Sequence, residues 1–236
     1  MYKYNLITMK RTDFYFCLIV VALFAPFVLS PNLYEGYQSF NAEHGMVMSF
    51  LKFAVLSTLG ELLGLRISTG QYLRKGFGVL PRAVVWGVLG MGINLAFIVF
   101  STGVPAAAGY LGVDDPAAIM AGPVTPSKVL LAFAISVSLN SIFAPVFMTF
   151  HKITDTHILA TGGTLRGLFT PIPMGDIMQN LNWRVQWSFV FKKTIPFFWF
   201  PAHTITFLLP GEMRVLFAAL LGVALGVILA VAARKK

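Results

Sequence analysis

Two long apolar runs near the end of the chain constrain its fold more than any other feature. Residues 194–209 and 215–233 contain no Asp, Glu, Lys or Arg, and only residues 210–214 separate them. As α-helices these runs would cover roughly 24 to 29 Å at about 1.5 Å per residue, close to the hydrocarbon thickness of a bilayer. The connection contains Pro210 and Gly211, which favour a tight reversal. The pattern therefore predicts a helical hairpin in a membrane.

The composition extends this interpretation from the hairpin to the whole chain. Of the 236 residues, 57% are hydrophobic and 11% are charged, and the mean hydropathy is +0.76. In soluble domains about 25% of the residues are charged, so this sequence has too few charged residues to cover a surface that faces water. The net charge of +9 would fit a nucleic acid only if the basic residues gathered on one folded surface, whereas they lie in connections and at the termini. We expect the lipid bilayer as partner and no nucleic acid.

Six apolar segments are predicted to span the membrane within one domain, 1–236. They are residues 14–29, 45–65, 83–100, 129–150, 194–209 and 215–233. The first segment is either a span or a cleaved signal peptide, and Pro31, directly after the candidate cleavage site, favours a retained span. Six spans place both termini on one side together with fifteen of the 18 Lys and Arg residues, which predicts cytoplasmic termini. The fold class is all-α, a polytopic membrane helical bundle.

The connections between the spans carry three further predictions. Residues 30–44 have Glu but no Lys or Arg and are expected to form an external loop. His151, Asp155 and His157 fall in the long connection 151–193 and are expected to be solvated, because their spacing matches no standard metal site. Within that connection, residues 176–191 repeat apolar side chains every fourth position and carry two Trp. This spacing predicts an interfacial amphipathic helix.

A few polar side chains lie inside the predicted spans and are the candidate pore-lining or solute-lining residues: Glu61, Asn94, Asn140, His203 and Thr206. Polar groups in lipid are costly, so by default they face a polar path or a partner. Each also has a structural alternative. Glu61 could be interfacial and loosely paired with Arg66, the two Asn could hydrogen-bond between helices, and His203 could be a hydrogen-bonded structural residue.

Small residues predict where helices approach each other closely. Gly60 and Gly64 form a GxxxG pair around Glu61, and Ala218, Gly222 and Gly226 recur every four residues in the last span. Such rows allow close packing of two membrane helices.

Three segments of the chain also share a signature with a known family. They are Thr58-Leu59-Gly60-Glu61, then Asn140-x-x-Phe143-Ala144-Pro145-x-Phe147, then Trp199-x-Pro201-x-His203-x-x-Thr206-Phe207 followed by Leu209-Pro210 and Arg214-Val215-Leu216-Phe217. In this order they resemble the signature of the twenty-two-kilodalton peroxisomal membrane protein family, which includes a mitochondrial inner-membrane protein linked to mitochondrial DNA maintenance. His203 stands where the family has Gln, and Thr206 where it has Asn.

The resemblance carries its own expectations. It implies a divergent relative, since the segment 14–29 is additional to the family's usual four-helix body. For a multi-pass membrane protein we expect the cell inner membrane if the source is bacterial and an organelle membrane if it is eukaryotic. Family members are thought to form pores or to move small solutes, without an agreed substrate.

From these features we expect a channel-like protein or passive transporter of small solutes, and a homo-oligomer is one arrangement that the sequence allows. The alternatives are a membrane scaffold or assembly protein and, third, a membrane-embedded enzyme that uses Glu61 and His203 as an acid/base pair. The sequence has no nucleotide-binding or hydrolase motif, so we predict no enzyme activity and no cofactor. Cys17 is the single cysteine, and no metal site is predicted.

Overall fold

The computed structural model describes residues 9–234, and in that range every regular element is helical. In chain order the α-helices are α1 (Arg11–Leu29), α2 (Pro31–Glu43), α3 (Gly45–Thr69), α4 (Val79–Tyr110), α5 (Pro116–Ala121), α6 (Pro126–Ala160), α7 (Met174–Gln179), α8 (Trp183–Val185), α9 (Phe200–Leu208) and α10 (Gly211–Arg234). A 3-10 helix covers Leu165–Phe169, and a π-helix covers Gln186–Trp199. The basic residues Lys3, Lys235 and Lys236, which entered the prediction of topology, lie outside the described residues.

Five of these helices, α1, α3, α4, α6 and α10, are long and apolar enough to cross a membrane. The predicted all-α membrane helical bundle is therefore confirmed. The remaining predicted span, 194–209, belongs to a continuous helical path in which the π-helix Gln186–Trp199 runs directly into α9. Neither piece alone is as long as the other five helices.

Local sequence explains where the long helices begin and end. At the start of α6, the Thr125 hydroxyl accepts the backbone N–H of Lys128 at 3.2 Å, and Pro126 occupies the first turn, where no N–H is needed. At the end of α3, Gly70 adopts a left-handed conformation with φ of 79° and donates its N–H to the Arg66 carbonyl. These signals lie beyond the predicted spans, so several helices extend past the apolar runs.

The bundle is built around α3, which packs along both α4 and α10, while α6 packs against α4 and α9. The α3–α4 contact depends on two glycines of α4. A Cβ on Gly87 would lie 2.4 Å from the Phe50 ring, and one on Gly90 would lie 2.5 Å from Phe53. The predicted close approach of small residues is confirmed for α3 and α10, because a Cβ on Gly60 would meet the Val223 backbone at 3.1 Å.

The N-terminal helix α1 is attached to the bundle mainly through one end. Arg66 of α3 contacts both carboxylate oxygens of Asp13 at 2.6 Å, and both side chains are buried. Burial, together with a hydrogen bond to Asp13, raises the pKa of Tyr72 to about 12, so its hydroxyl stays protonated at neutral pH. Most of α1 is otherwise exposed at the protein surface. Cys17 is exposed there, and it does not pack in the core as a small apolar side chain would.

Two predictions for the connections are wrong. Residues 30–44 form α2 instead of a loop, because the Ser30 hydroxyl accepts the Leu33 N–H and Pro31 starts the helix. The amphipathic helix predicted at 176–191 is interrupted. Helix α7 ends at Gln179, and the Asn182 side chain accepts the Val185 N–H to begin a new helix.

The interruption separates the four apolar positions of the predicted amphipathic face. Ile177 and Leu181 are buried with Ile153 of α6, whereas Val185 and Phe189 are 49% and 43% exposed.

Candidate functional site: a cavity with one open end

A cavity of about 360 Å³ lies among α3, α4, α6, the π-helix, α9 and α10. Its volume falls in the range of small-molecule binding pockets. Along α3 its lining extends from Phe53 to Gly64, which corresponds to about 16 Å at 1.5 Å per residue. This depth is about half the thickness of a bilayer's hydrocarbon core. The cavity therefore occupies one half of the bundle.

The most exposed part of the lining lies toward the end of the bundle where the connections 70–78 and 161–173 join the helices. We call this end the basic end because Arg74, Lys75 and Arg166 lie in these connections. The most exposed residues of the lining are Lys152, Phe189 and Leu229, which all lie toward this end. They come from α6, the π-helix and α10, so the mouth lies between these three elements.

The inner end of the cavity is closed by tightly packed core. Phe97, Leu139 and Ala218 form its floor, and each is at most 4% exposed. Beyond the floor, Ile135 and Phe207 are fully buried in the same core cluster. No opening is therefore evident through the far half of the described bundle.

An ion-pair network of mostly buried side chains lies beside the mouth. Nη1 of Arg82, at the start of α4, lies 2.5 Å from Oε2 of Glu61 in α3 and also pairs with Asp155 of α6. The Arg82 side chain is only 7% exposed. Lys152 pairs with the other Asp155 oxygen at 3.3 Å, and its side chain is 51% exposed. Two carboxylates and two cations thus join three helices at the basic end.

The second oxygen of Glu61 is also held by neighbouring rings. The Trp86 indole N–H donates to Oε1 of Glu61 at 2.8 Å, and Nε2 of His151 lies 3.4 Å from the same oxygen. The Trp86 and His151 rings are 4.4 Å apart. Arg82 is fixed in turn, because its Nε donates to the Phe77 carbonyl at 2.7 Å. The Glu61 carboxylate is therefore positioned from three sides.

Three of the five candidate lining residues border this cavity, namely Glu61, Asn140 and His203. Asn140 donates to the Ser136 carbonyl at 2.8 Å within its own helix and is 2% exposed. His203 lies between two aromatic rings. Trp199 stacks on it at 5.0 Å with an interplanar angle of 16°, and Phe97 meets it edge-on at 5.3 Å.

The other two candidates do not border the cavity. Thr206 is fully buried, donates to the Ala202 carbonyl at 3.1 Å and lies 3.2 Å from Nδ1 of His203. Asn94 lies near the opposite end of the bundle, where its amide approaches the Gly45 carbonyl at 3.4 Å. The five residues therefore do not form one continuous lining. Glu61 and His203 have different partners, so among the described contacts nothing joins them as an acid/base pair.

The motif positions of the family resemblance have two kinds of environment. Gly60 and Trp199 border the cavity. Arg214 stabilises the hairpin turn, where its Nε donates to the Leu209 carbonyl at 3.1 Å and its guanidinium lies over the Phe207 ring. The prolines lie in or beside helices: Pro145 is inside α6, Pro201 is in the first turn of α9, and Pro210 precedes α10.

The sequence placed several residues of the ion-pair network in solvated connections. The apolar runs place Arg82 in the connection before the third span, and His151 and Asp155 in the long connection after the fourth. The prediction that His151, Asp155 and His157 are solvated is wrong, because α6 continues to Ala160. His157 is buried and contacts the Gly167 carbonyl at 3.0 Å. The length of an apolar run underestimates the length of a helix when the last turns of that helix carry charged side chains that form ion pairs.

No family model matches the sequence, and comparisons with curated proteins and with solved structures find no similar protein. The family resemblance therefore stays a prediction that rests on the motif residues. Within residues 9–234, no group of three or more His, Cys, Asp and Glu side chains is arranged to hold a metal ion.

Proposed function

We propose that the protein is a passive carrier of small organic solutes, with the cavity as the solute-binding site. The observation that supports this proposal is a cavity of ligand size that reaches about halfway through the bundle and has its mouth at the basic end. A site near the middle of the membrane that is reached from one side is the arrangement expected of a carrier. An open channel would need a path through the far half, which is filled by Phe207 and Ile135.

The cavity walls indicate the kind of solute. Most of the lining surface is apolar, and polar side chains interrupt it at separate points. An apolar solute with one or a few polar groups matches this distribution. Each polar group slows the passage of such a molecule through lipid, because the group must lose its hydrogen bonds to water.

Substitution of a cavity glycine tests the proposal. Gly222 of α10 borders the cavity, and a Cβ added there meets nothing within 4 Å, so Gly222→Leu should fill the cavity without disturbing helix packing. Gly103→Leu is the matched control, since Gly103 is exposed on α4, is not part of the cavity lining, and has equally free space around an added Cβ.

The assay measures efflux of one-ring aromatic solutes, neutral and anionic, from vesicles containing the purified protein. We expect efflux above that of protein-free vesicles, loss of that excess in Gly222→Leu, and no change in Gly103→Leu. A scaffold protein would give the opposite result. No solute would move faster than through lipid, and Gly222→Leu would impair assembly of the membrane protein instead.

The orientation belongs to the same proposal. The basic end carries Arg74, Lys75, Arg166 and the network around Arg82. Short basic connections tend to stay on the cytoplasmic side. We therefore propose that the mouth faces the cytoplasm, or the corresponding side of an organelle membrane, and that the termini lie on that side.

A further inference from the structure

Several polar atoms in the cavity lining lack a hydrogen-bond partner within the described residues. They are Oγ of Ser57, Nε2 of Gln186 and Nε1 of Trp199. Ser57 is 5% exposed and Gln186 is 8% exposed. Buried polar groups in folded proteins nearly always have a partner, and leaving one unpaired is costly. Their residues border the cavity, so these are the unpaired groups whose hydrogen bonds a bound molecule would complete.

The chemistry of these atoms determines what they can bind. The side-chain nitrogens of Gln186 and Trp199 only donate hydrogen bonds, while the Ser57 hydroxyl can donate or accept. A ligand that satisfies all of them must carry hydrogen-bond acceptors. Oxygen atoms of carbonyl groups are the most common acceptors without charge.

The charges around the mouth give no reason for a charged ligand. Glu61 and Asp155 share Arg82, and Lys152 pairs with Asp155. In the described part of the lining, each charged side chain thus already has an oppositely charged partner. An ionic ligand would have to leave water without a free counter-charge, which is strongly unfavourable.

The aromatic walls of the cavity also favour a ligand that contains rings. Aromatic side chains of α3, α4, α6 and the π-helix surround the cavity, namely Phe53, Trp86, Phe97, Phe143, Phe147 and Trp199. Aromatic walls offer stacked and edge-on contacts to a flat ring system.

We propose that the cavity binds an uncharged, ring-bearing molecule that carries carbonyl oxygens. Gln186 donates to such oxygens on the side of the mouth, and Ser57 and Trp199 donate nearer the inner end. This inference rests on the proposed function, because it takes the cavity as the solute-binding site. It adds the class of solute and the residues that select it.

Binding of three matched probes to the full chain in lipid nanodiscs tests the inference. Fluorenone has one carbonyl, fluorene has the same rings without oxygen, and fluorene carboxylate carries a charge. Equilibrium dialysis against protein-free nanodiscs gives each dissociation constant. We expect fluorenone to bind roughly 2- to 12-fold more tightly than fluorene, the worth of one hydrogen bond. Equal binding of the two, or tighter binding of the carboxylate, would overturn the inference.

Variants of the lining residues identify which side chains donate hydrogen bonds to the ligand. Ser57→Ala combined with Gln186→Met keeps the apolar shape and should remove most of the preference for fluorenone over fluorene. Thr58→Val is the matched control, because the Thr58 hydroxyl is also buried and unpaired among the described residues but does not border the cavity. It should leave the preference unchanged. If the double variant does not fold, the comparison of probes on the unmodified protein still decides.

The outcomes separate this inference from the proposed function. Selective binding of fluorenone without solute efflux from vesicles would contradict the carrier but support the ligand class. Efflux with no preference for carbonyl compounds, either in binding or in rate, would support the carrier and contradict the ligand class.

Discussion

The Arg82 side chain, near the cavity mouth, is held by contacts on several sides. It pairs with carboxylates of two different helices, donates to the Phe77 carbonyl and stacks its guanidinium on the Phe77 ring at 4.4 Å. Its side chain is 7% exposed. Removal of one partner from a buried ion pair leaves an uncompensated charge, which costs far more than the pair contributes.

We therefore predict that Arg82→Met lowers the free energy of unfolding by about 3 to 5 kcal/mol. Lys152→Met removes the other cation on Asp155, but its half-exposed ammonium should contribute only about 0 to 1 kcal/mol. Unfolding in mixed detergent micelles measures both values. Equal losses in the two variants would show that Arg82 has no special part in joining the three helices.

The same residues show what the sequence can and cannot indicate about single side chains. Glu61 stood out because a carboxylate inside an apolar run needs a partner. The partner was not predictable, because Arg66 lies one turn away on the same helix whereas Arg82 comes from another helix. Arg66 instead pairs with Asp13, more than fifty positions earlier in the sequence.

At the scale of helices, the contact between α3 and α4 depends on the absence of side chains. A Cβ on Gly90 would lie 2.5 Å from the Cβ of Phe53, an atom close to the backbone that cannot rotate away. Gly92, two residues later in the same helix, has nothing within 4 Å of its added Cβ.

Gly90→Ala should therefore destabilise the bundle by about 1 to 3 kcal/mol, the usual cost of overpacking. Gly92→Ala should stabilise it by up to about 1 kcal/mol, since Ala favours a helix more than Gly does. Unfolding midpoints of the two variants in the same detergent give the comparison. A stabilising Gly90→Ala would contradict the packing of α4 on Phe53.

The π-helix explains why the amphipathic pattern in this region predicts the wrong set of residues for the buried face. In α-helical spacing, Ile177, Leu181, Val185 and Phe189 share one face, which predicts a single buried stripe. Of these four only Phe189 borders the cavity, together with Gln186, Val190, Thr194, Trp199 and His203. Their spacing includes a step of five, which the wider turn of a π-helix permits. Sequence periodicity alone does not reveal that change of turn.

For the whole molecule, the number of membrane crossings determines which side each connection faces. Five helices are long enough to cross, and the path Gln186–Leu208 would be the sixth crossing. Six crossings put α2 and the turn before α10 on one side, and the connection around Thr164 on the other. All of these segments contain exposed positions.

Cysteine labelling tests this arrangement in a Cys17→Ser background. Ser39→Cys in α2 and Glu212→Cys in α10 should react with a membrane-impermeant maleimide from one side. Thr164→Cys should react from the other, because an odd number of crossings separates it from each of them. Reaction of Glu212→Cys and Thr164→Cys from the same side would show that the segment with the π-helix does not cross the membrane.

The fold class could be predicted because it depends on composition and on the length of apolar runs, which are properties of the sequence itself. The cavity could not, since it results from the way α10 packs along α3 and α9 while the π-helix packs on α6 and α9. Gly222 illustrates this difference. It was predicted to contact another helix, but its added Cβ would face open space.

One half of this bundle is filled and the other is hollow, so the two halves should differ in compressibility. Hydrostatic pressure favours states that eliminate internal voids. The hollow half, between Glu61 and His203, is where compression would first change the side-chain arrangement. The filled half around Phe207 should keep its helix packing under the same pressure.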